Sequence, residues 1–276
     1  MKFALIDSIR SEARPGARGQ CQFCDRAMIA KCGEIVLWHW AHSPRRRCDP
    51  WWENETDWHR KWKDYFPHHW QEVVHFDENG EKHIADIKTD RGLVMELQHS
   101  SMNPEELRCR EKFYGNMLWV VDGSPFRNNF HILSPLPPAD SELANRLKIL
   151  RPPCFPLDPK HPRFKVTNQP LFLLDTHQVG RVENYLVYDV LRIDGNADKS
   201  YSHPRDTEVE IDGVYDGDHF LQWERPHTVW LSTSKPVLID LGEDILWQLY
   251  RFQTKYLAAK AVSAKVLVQQ LGGEWR

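Results

Sequence analysis

The sequence predicts a mixed α/β core in the order helix, three antiparallel strands, helix, strand. It is preceded by a cysteine- and histidine-bearing module and followed by an α+β extension. Three observations carry this reading. A C-x-x-C pair with further Cys and His residues close behind lies before residue 50. Two alternating runs, His83 to Thr89 and Leu93 to His99, flank Asp90-Arg91-Gly92. Finally, the stretch from Asn103 to Gly115 reads as a capped helix and is followed by the apolar run "MLWVVDG". The boundaries that follow are 1–50 for the zinc-binding module, 51–134 for the core and 135–276 for the extension.

In the first segment, Cys21 and Cys24 offer two thiolates at the spacing of half a tetrahedral zinc site, and the other half must come from later in the chain. His42 and Cys48 are the choice, with His39 of "WHWAH" as the alternative. A thioredoxin-like redox pair would need a βαβ context, which is missing there. Cys32 has no spaced partner and reads as a buried thiol.

Residues Asp49 to Tyr65 read as a helix, with Asp49-Pro50 at its start and Phe66-Pro67 closing it. Trp58, Trp62 and Tyr65 make its apolar stripe. Glu55, His59 and Lys63, four apart, make a polar one, which by itself suits a solvated salt-bridge face as well as a site. Seven of the twelve tryptophans fall between Trp38 and Trp70, mostly as packing, with one or two available to stack on bases.

A strand at Gln71 to Phe76 and a turn at "DENG" lead to the hairpin. With Gly92 in the left-handed position of a three-residue loop, Thr89 pairs with Leu93, Lys88 faces Val94, and Asp86 faces Glu96. Like charges directly opposed across a sheet are destabilising, and a divalent cation offsets the repulsion naturally. Gln98 lies on the same face as Glu96. Asn103 begins the next helix, Gly115 ends it, and Met117 to Val121 should run parallel to the Glu96 strand.

Beyond Ser134, "PLPPADSELANRLKILRPPCFPLDPKHP" reads as an irregular Pro-rich linker or insertion. "NYLVYDVLRI", "TEVEIDGVYDG" and "KPVLIDLG" read as strands, and "EDILWQLYRFQTKYLAAKAVSAKVLVQQLGG" as a helix broken near Gln253 and stopped by Gly272.

Charge is uneven along a chain whose formal net charge is −3. Residues 1–50 hold nine Lys and Arg against five Asp and Glu, while residues 51–125 hold nine against fifteen. A basic module beside an acidic one suits a polyanion-docking surface next to a metal site. No run is long and apolar enough for a membrane span and the first residues lack a signal-peptide core, so a cytoplasmic location without a membrane partner is expected. A metalloprotease would want H-E-x-x-H, which is absent.

The run from Cys21 to Gly123 resembles the competence protein CoiA family, whose core belongs to the PD-(D/E)xK nuclease superfamily. The matching stretches are "CQFC", "WHWAH", "ENETDWHRKWK", "HIADIKT", "MELQHSS", "EELRCREKFYG" and "LWVVDG". The resemblance implies a restriction-endonuclease-like core and Mg²⁺- or Mn²⁺-dependent hydrolysis of DNA, in DNA processing, recombination or defence against foreign DNA. A helicase or a recombination or defence protein would be the accompanying partner. It implies metal held by Asp86 and Glu96 with the Leu97 carbonyl, Glu55 as an additional acid, and Gln98 in place of the usual lysine. Arg110 and Tyr114 match an arginine and a tyrosine of the following helix. Because Gln98 carries no charge, Lys63 or His59 is expected to assist the metal. A catalytically inactive nucleic-acid-binding or scaffold protein using the zinc module is the alternative.

Overall fold

The computed structural model describes residues 1–45, 47–149, 172–174 and 204–276. The strands in chain order are β1 (Phe3–Ile6), β2 (Ile9–Glu12), β3 (Arg18–Gln20), β4 (Ala27–Lys31) and β5 (His39–His42), followed by helix α1 (Asp57–Asp64). Next come β6 (Gln71–Phe76), β7 (Lys82–Lys88), β8 (Val94–Gln98), helix α2 (Pro104–Tyr114), β9 (Met117–Asp122) and β10 (Phe130–Pro135). Helix α3 (Glu142–Arg146), β11 (Leu147–Ile149), β12 (Phe172–Leu174), helix α4 (Pro204–Val214) and β13 (Asp218–Trp223) follow. The chain closes with β14 (Val237–Asp240), β15 (Ile245–Phe252), β16 (Tyr256–Ser263) and helix α5 (Ala264–Leu271). The fold is thus mixed α/β, and among the described residues no helix is long and apolar enough to cross a membrane.

Two compact units divide the chain: Met1–Gly123 with Ser232–Asp244 and Ser263–Arg276, and Ser124–Leu231 with Ile245–Val262. The first takes two pieces from beyond residue 134, because β14 pairs with β9 in parallel and the end of α5 docks on the segment after α1. There the Glu274 N–H donates to the Tyr65 carbonyl (2.7 Å) and Trp275 stacks on Tyr65 with ring centroids 4.5 Å apart. Gly273 must be glycine, since a Cβ there would lie 2.6 Å from the Tyr65 carbonyl oxygen.

The first unit contains two sheets. The N-terminal one is antiparallel, ordered β2-β1-β3-β4-β5, and packs its apolar side around Ala4, Met28 and Trp40. The other is ordered β14-β9-β8-β7-β6, with β14, β9 and β8 parallel and the rest antiparallel. Every residue of β8 and β9 is buried, as expected for central parallel strands covered on both faces. Helix α2 covers one face through Leu107, Arg110, Glu111 and Tyr114, spaced as one helical stripe. Helix α1 is anchored by two indoles, since Trp58 and Trp62 both donate Nε1–H to one Asp240 oxygen at 2.8 Å.

The order helix, three antiparallel strands, helix, strand holds for α1 to β9, and the expected hairpin loop does too: Gly92 has φ 78°, and Thr89 N–H donates to Leu93 O (2.9 Å). Three expectations fail. The first helix starts at Asp57 rather than near Asp49, because Thr56 caps it. Asp49 is instead buried, accepting from Ile84 N–H (2.7 Å) and Trp51 N–H (3.0 Å) and pairing with His83 (2.9 Å). The stretch "TEVEIDGV" is helical, in α4: Thr207 and Ile211, four apart, are buried while Val209 is 70 % exposed, so its alternation is incidental. Ile245 to Ser263 is a β-hairpin, not a broken helix, turned by Gln253 (φ 48°) and Thr254 (φ 59°) in the left-handed region that a tight hairpin turn demands. Only α5, capped by Ser263 and stopped by Gly272, is the helix expected there. The Pro-rich segment contains α3 and β11 in its described part, and "NYLVYDVLRI" lies outside the described residues.

The second unit pairs β10 with β13 and β13 with β16 in antiparallel fashion, over a core of Leu136, Leu147, Ile211, Phe220 and Phe252.

Candidate functional site

Cys21 and Cys24 bracket the tight turn after β3, His42 ends β5, and Cys48 follows. Their ligand atoms all lie within 4.8 Å of one another, so the cluster could hold a zinc ion. The Cys21 and Cys48 sulfurs are 3.8 Å apart and Cys24 Sγ is 3.3 Å from His42 Nε2. For a Zn–S bond of ~2.3 Å, a tetrahedral site has a sulfur–sulfur edge of about 3.8 Å, so the spacing suits that ion. Hydrogen bonding from Cys48 pulls the Cys21 thiol down to about 5, against the opposing effect of burial, while the same bond pushes the Cys48 thiol up, so the metal-free pair favours one thiolate, at Cys21. His39 stands apart, with Nδ1 against the Leu37 carbonyl at 2.8 Å. The choice of His42 over His39 follows the strand period, since they are three positions apart on β5 and face opposite ways.

The second constellation lies where β7 and β8 part. Their paired register covers Lys88–Val94 and Ile87–Met95. At the next pair, side chains replace the backbone ladder: Asp86 N–H donates to the Glu96 carboxylate (3.2 Å) and Leu97 N–H to the Asp86 carboxylate (3.0 Å). The two acids therefore share one face, as the hairpin register implies. Glu96 is almost fully buried and Asp86 partly exposed. Burial, then the charge of Asp86, pushes the Glu96 carboxyl up to about 8, although Arg110, 3.1 Å away, opposes this.

Lys63 of α1 sits among carboxylates. Its ammonium lies 3.1 Å from Asp86, 3.2 Å from Glu55 and 3.2 Å from Glu72, and is buried. Burial alone would lower its pKa, but Asp86, Glu55 and Glu72 raise it above the ordinary lysine value, so the group stays charged. Glu55, just before the N-cap, is held by Arg60 (2.5 Å) as well.

Glu72 is the acid that sequence reasoning missed. It takes φ 46°, a strained conformation for a non-glycine residue, and accepts from the Lys2 and Phe3 backbone N–H groups (2.8 and 3.1 Å). Burial pushes its carboxyl up, but Lys63 and the donors around it hold it at about 2. Its signal was slight: an acid in an otherwise apolar strand run, "QEVVHF".

His59 completes a capping box with Thr56. Its Nδ1 accepts from Thr56 N–H (3.3 Å), which leaves Nε2–H to donate to the Leu97 carbonyl (3.2 Å). Burial lowers its pKa, so it is a neutral positioning group for that carbonyl. Gln98 is buried and donates Nε2–H to Glu53, a second acid not foreseen, and to the Ser100 carbonyl (3.1 Å). Among the described residues its Oε1 has no hydrogen-bond partner, and neither does the buried hydroxyl of Tyr114 on α2. Buried polar atoms without partners are uncommon and call for a water, ion or ligand.

No protein-family model matches this chain, and neither a curated protein nor a solved structure does.

Proposed function

We propose that the chain is a metal-dependent deoxyribonuclease with a restriction-endonuclease-like core, acting at the Asp86–Glu96 pair. The observation that carries this reading is the meeting of those two carboxylates where the β7–β8 ladder opens, with Lys63 3.1 Å from Asp86 and an unpartnered Gln98 Oε1 on the same strand face. Asp86, Glu96 and the Leu97 carbonyl are hard oxygen donors and fit Mg²⁺ or Mn²⁺. When bound, such an ion would acidify a water and stabilise charge on the leaving oxygen.

In this reading the remaining groups have separate tasks. Lys63, paired with Asp86, supplies beside the metal-binding acids the positive charge that Gln98 lacks. Glu55, with both oxygens committed to Arg60 and Lys63, positions that lysine rather than taking the metal. Glu72 does the same from β6. His59 holds the Leu97 carbonyl, and Arg110 holds the Glu96 carboxyl. Gln98 Oε1 accepts a hydrogen bond from the attacking water.

One observation favours a second reading, an inactive nucleic-acid-binding protein. Lys63 pairs with Glu55, Glu72 and Asp86, Arg60 adds a second cation at Glu55, and backbone N–H groups serve Glu72, so protein groups hold the cluster together without a divalent ion. Incubation with Mg²⁺ or Mn²⁺ and linear, circular, single-stranded and forked DNA decides between them. Cleavage that disappears in Asp86→Ala, with zinc content and DNA binding retained, supports the nuclease. Absence of cleavage with every substrate and both metals would leave the binding protein.

A further inference from the structure

Beside the acidic centre, a concave groove of about 940 Å³ opens between the zinc cluster and the segment leading into α1. That volume is at the upper end for sites that take small organic groups. Trp52 and Ile84 line both the groove and the acidic pocket, so the two are adjacent. Exposed Lys31, Arg45 and Arg47 stand along its rim. Of the two acids that line it, Asp49 is committed to His83 and to backbone N–H groups, which leaves Glu34 alone against three cations. Among the described residues no aromatic ring contacts Trp52 and its indole N–H makes no hydrogen bond, unlike Trp51, which is stacked on His83. Trp52 is half-buried: it packs against the core of the N-terminal sheet and also lines the groove.

We propose that this groove binds single-stranded DNA, with a base stacked on Trp52 and the phosphates along Lys31, Arg45 and Arg47, and that it feeds the strand towards Asp86 and Glu96. A duplex hides its base faces and offers a protein mainly phosphates, whereas an unpaired strand offers both phosphates and π faces, the combination that a basic rim over an apolar aromatic wall recognises. The strand's destination rests on the nuclease reading; the binding does not.

The test is fluorescence anisotropy of the full-length zinc-loaded protein with labelled dT15, rU15 and a 15-base-pair duplex, without added Mg²⁺. dT15 should bind at least about tenfold tighter than the duplex. Loss of one stacked base in Trp52→Ala should weaken dT15 about ten- to a hundredfold, while Trp52→Phe, which keeps a ring, loses far less. The exposed pair Arg45→Gln with Arg47→Gln should lower the slope of log affinity against log salt by about 1.4 for the single strand, at ~0.7 per phosphate. Circular dichroism and zinc content check folding, and the arginine variants carry the test if Trp52→Ala does not fold. Tighter binding of the duplex, tighter binding of rU15, or a salt slope and affinity unmoved by these variants overturns the proposal. So does binding of a protein partner through the exposed Ile35–Val36 tip with no affinity for dT15. Asp86→Ala should bind dT15 like the wild type. If binding depends on Trp52 but the wild type never cleaves, the nuclease reading fails alone; if cleavage occurs but binding ignores Trp52, this proposal fails alone.

Discussion

Replacing Lys63 by methionine keeps the aliphatic stem and removes the charge that three carboxylates share. Lys63 is 3 % exposed and its three ion-pair distances are 3.1–3.2 Å. Breaking a buried ion pair by removing one partner costs ~3–5 kcal/mol, a large share of a total stability of about 5–15 kcal/mol. Arg60 still serves Glu55 and the Lys2 and Phe3 N–H groups still serve Glu72, so Asp86 and Glu72 bear most of the loss. At roughly 2–4 °C per kcal/mol for a unit of this size, Tm should fall by about 6–20 °C without divalent ions. Mg²⁺ should then recover part of it, about 2.7 kcal/mol at a hundred times Kd, and should stabilise the variant more than the wild type, in which Lys63 competes for Asp86. Thermal melts of both proteins, with and without Mg²⁺, provide the measurement, with the zinc retained. A variant as stable as the wild type, or one that Mg²⁺ leaves unmoved, would refute the reasoning. Cleavage by the variant should drop about a hundred- to a thousandfold, the cost of one preorganised charged group.

Three other outcomes are expected. The Glu96 carboxyl rises from about 4.5 to about 8 on folding, so the stability it allows is complete below pH 4.5 and lost as pH climbs through 8. Urea titrations from pH 5 to 9 should show that decline in the wild type and a flatter profile in Glu96→Gln, and equal profiles would remove the assignment. Cys21→Ser should lose bound zinc by elemental analysis and melt lower or aggregate, because a structural zinc site contributes folding energy outright; full metal content in a stable variant would exclude the four-ligand set. Gln98→Ala should slow cleavage on the order of a hundredfold and Gln98→Lys should retain some activity, whereas a wild-type rate in Gln98→Ala would make that residue a bystander.

The local signals were those whose physics is local. Gly92 in a three-residue loop sets the hairpin register whatever surrounds it, and that register already put Asp86 and Glu96 on one face. Asn103 and Gly115 bound α2 by backbone hydrogen bonding alone, and the C-x-x-C turn with His42 and Cys48 needed only one short segment to assemble. Where the signal depended on what lies across the chain, reading it failed. Ile245 to Ser263 is apolar enough for either a helix or a strand, and its turn carries Gln253 and Thr254 rather than the glycine or asparagine that announces left-handed backbone. Thr207, Val209 and Ile211 alternate like a strand, yet burial picks the first and third as one helical face.

Charge was the least legible property. Glu55, His59 and Lys63 form the same four-residue stripe on paper whether they face water or a protein interior, because sequence records which groups are ionisable and not how far they are from solvent. Only the packed unit, with β6 bringing Glu72, β7 bringing Asp86 and the turn before α1 bringing Glu55, makes it possible to bury the Lys63 ammonium at all. By itself the chain determined its short-range geometry, the Cys21, Cys24, His42 and Cys48 cluster and the opposed acid pair. The tertiary structure alone decided that Lys63 is the buried cation of that site, that His59 serves a backbone carbonyl, and that Glu72 belongs to it, since each of these is an electrostatic balance among groups that meet only after folding.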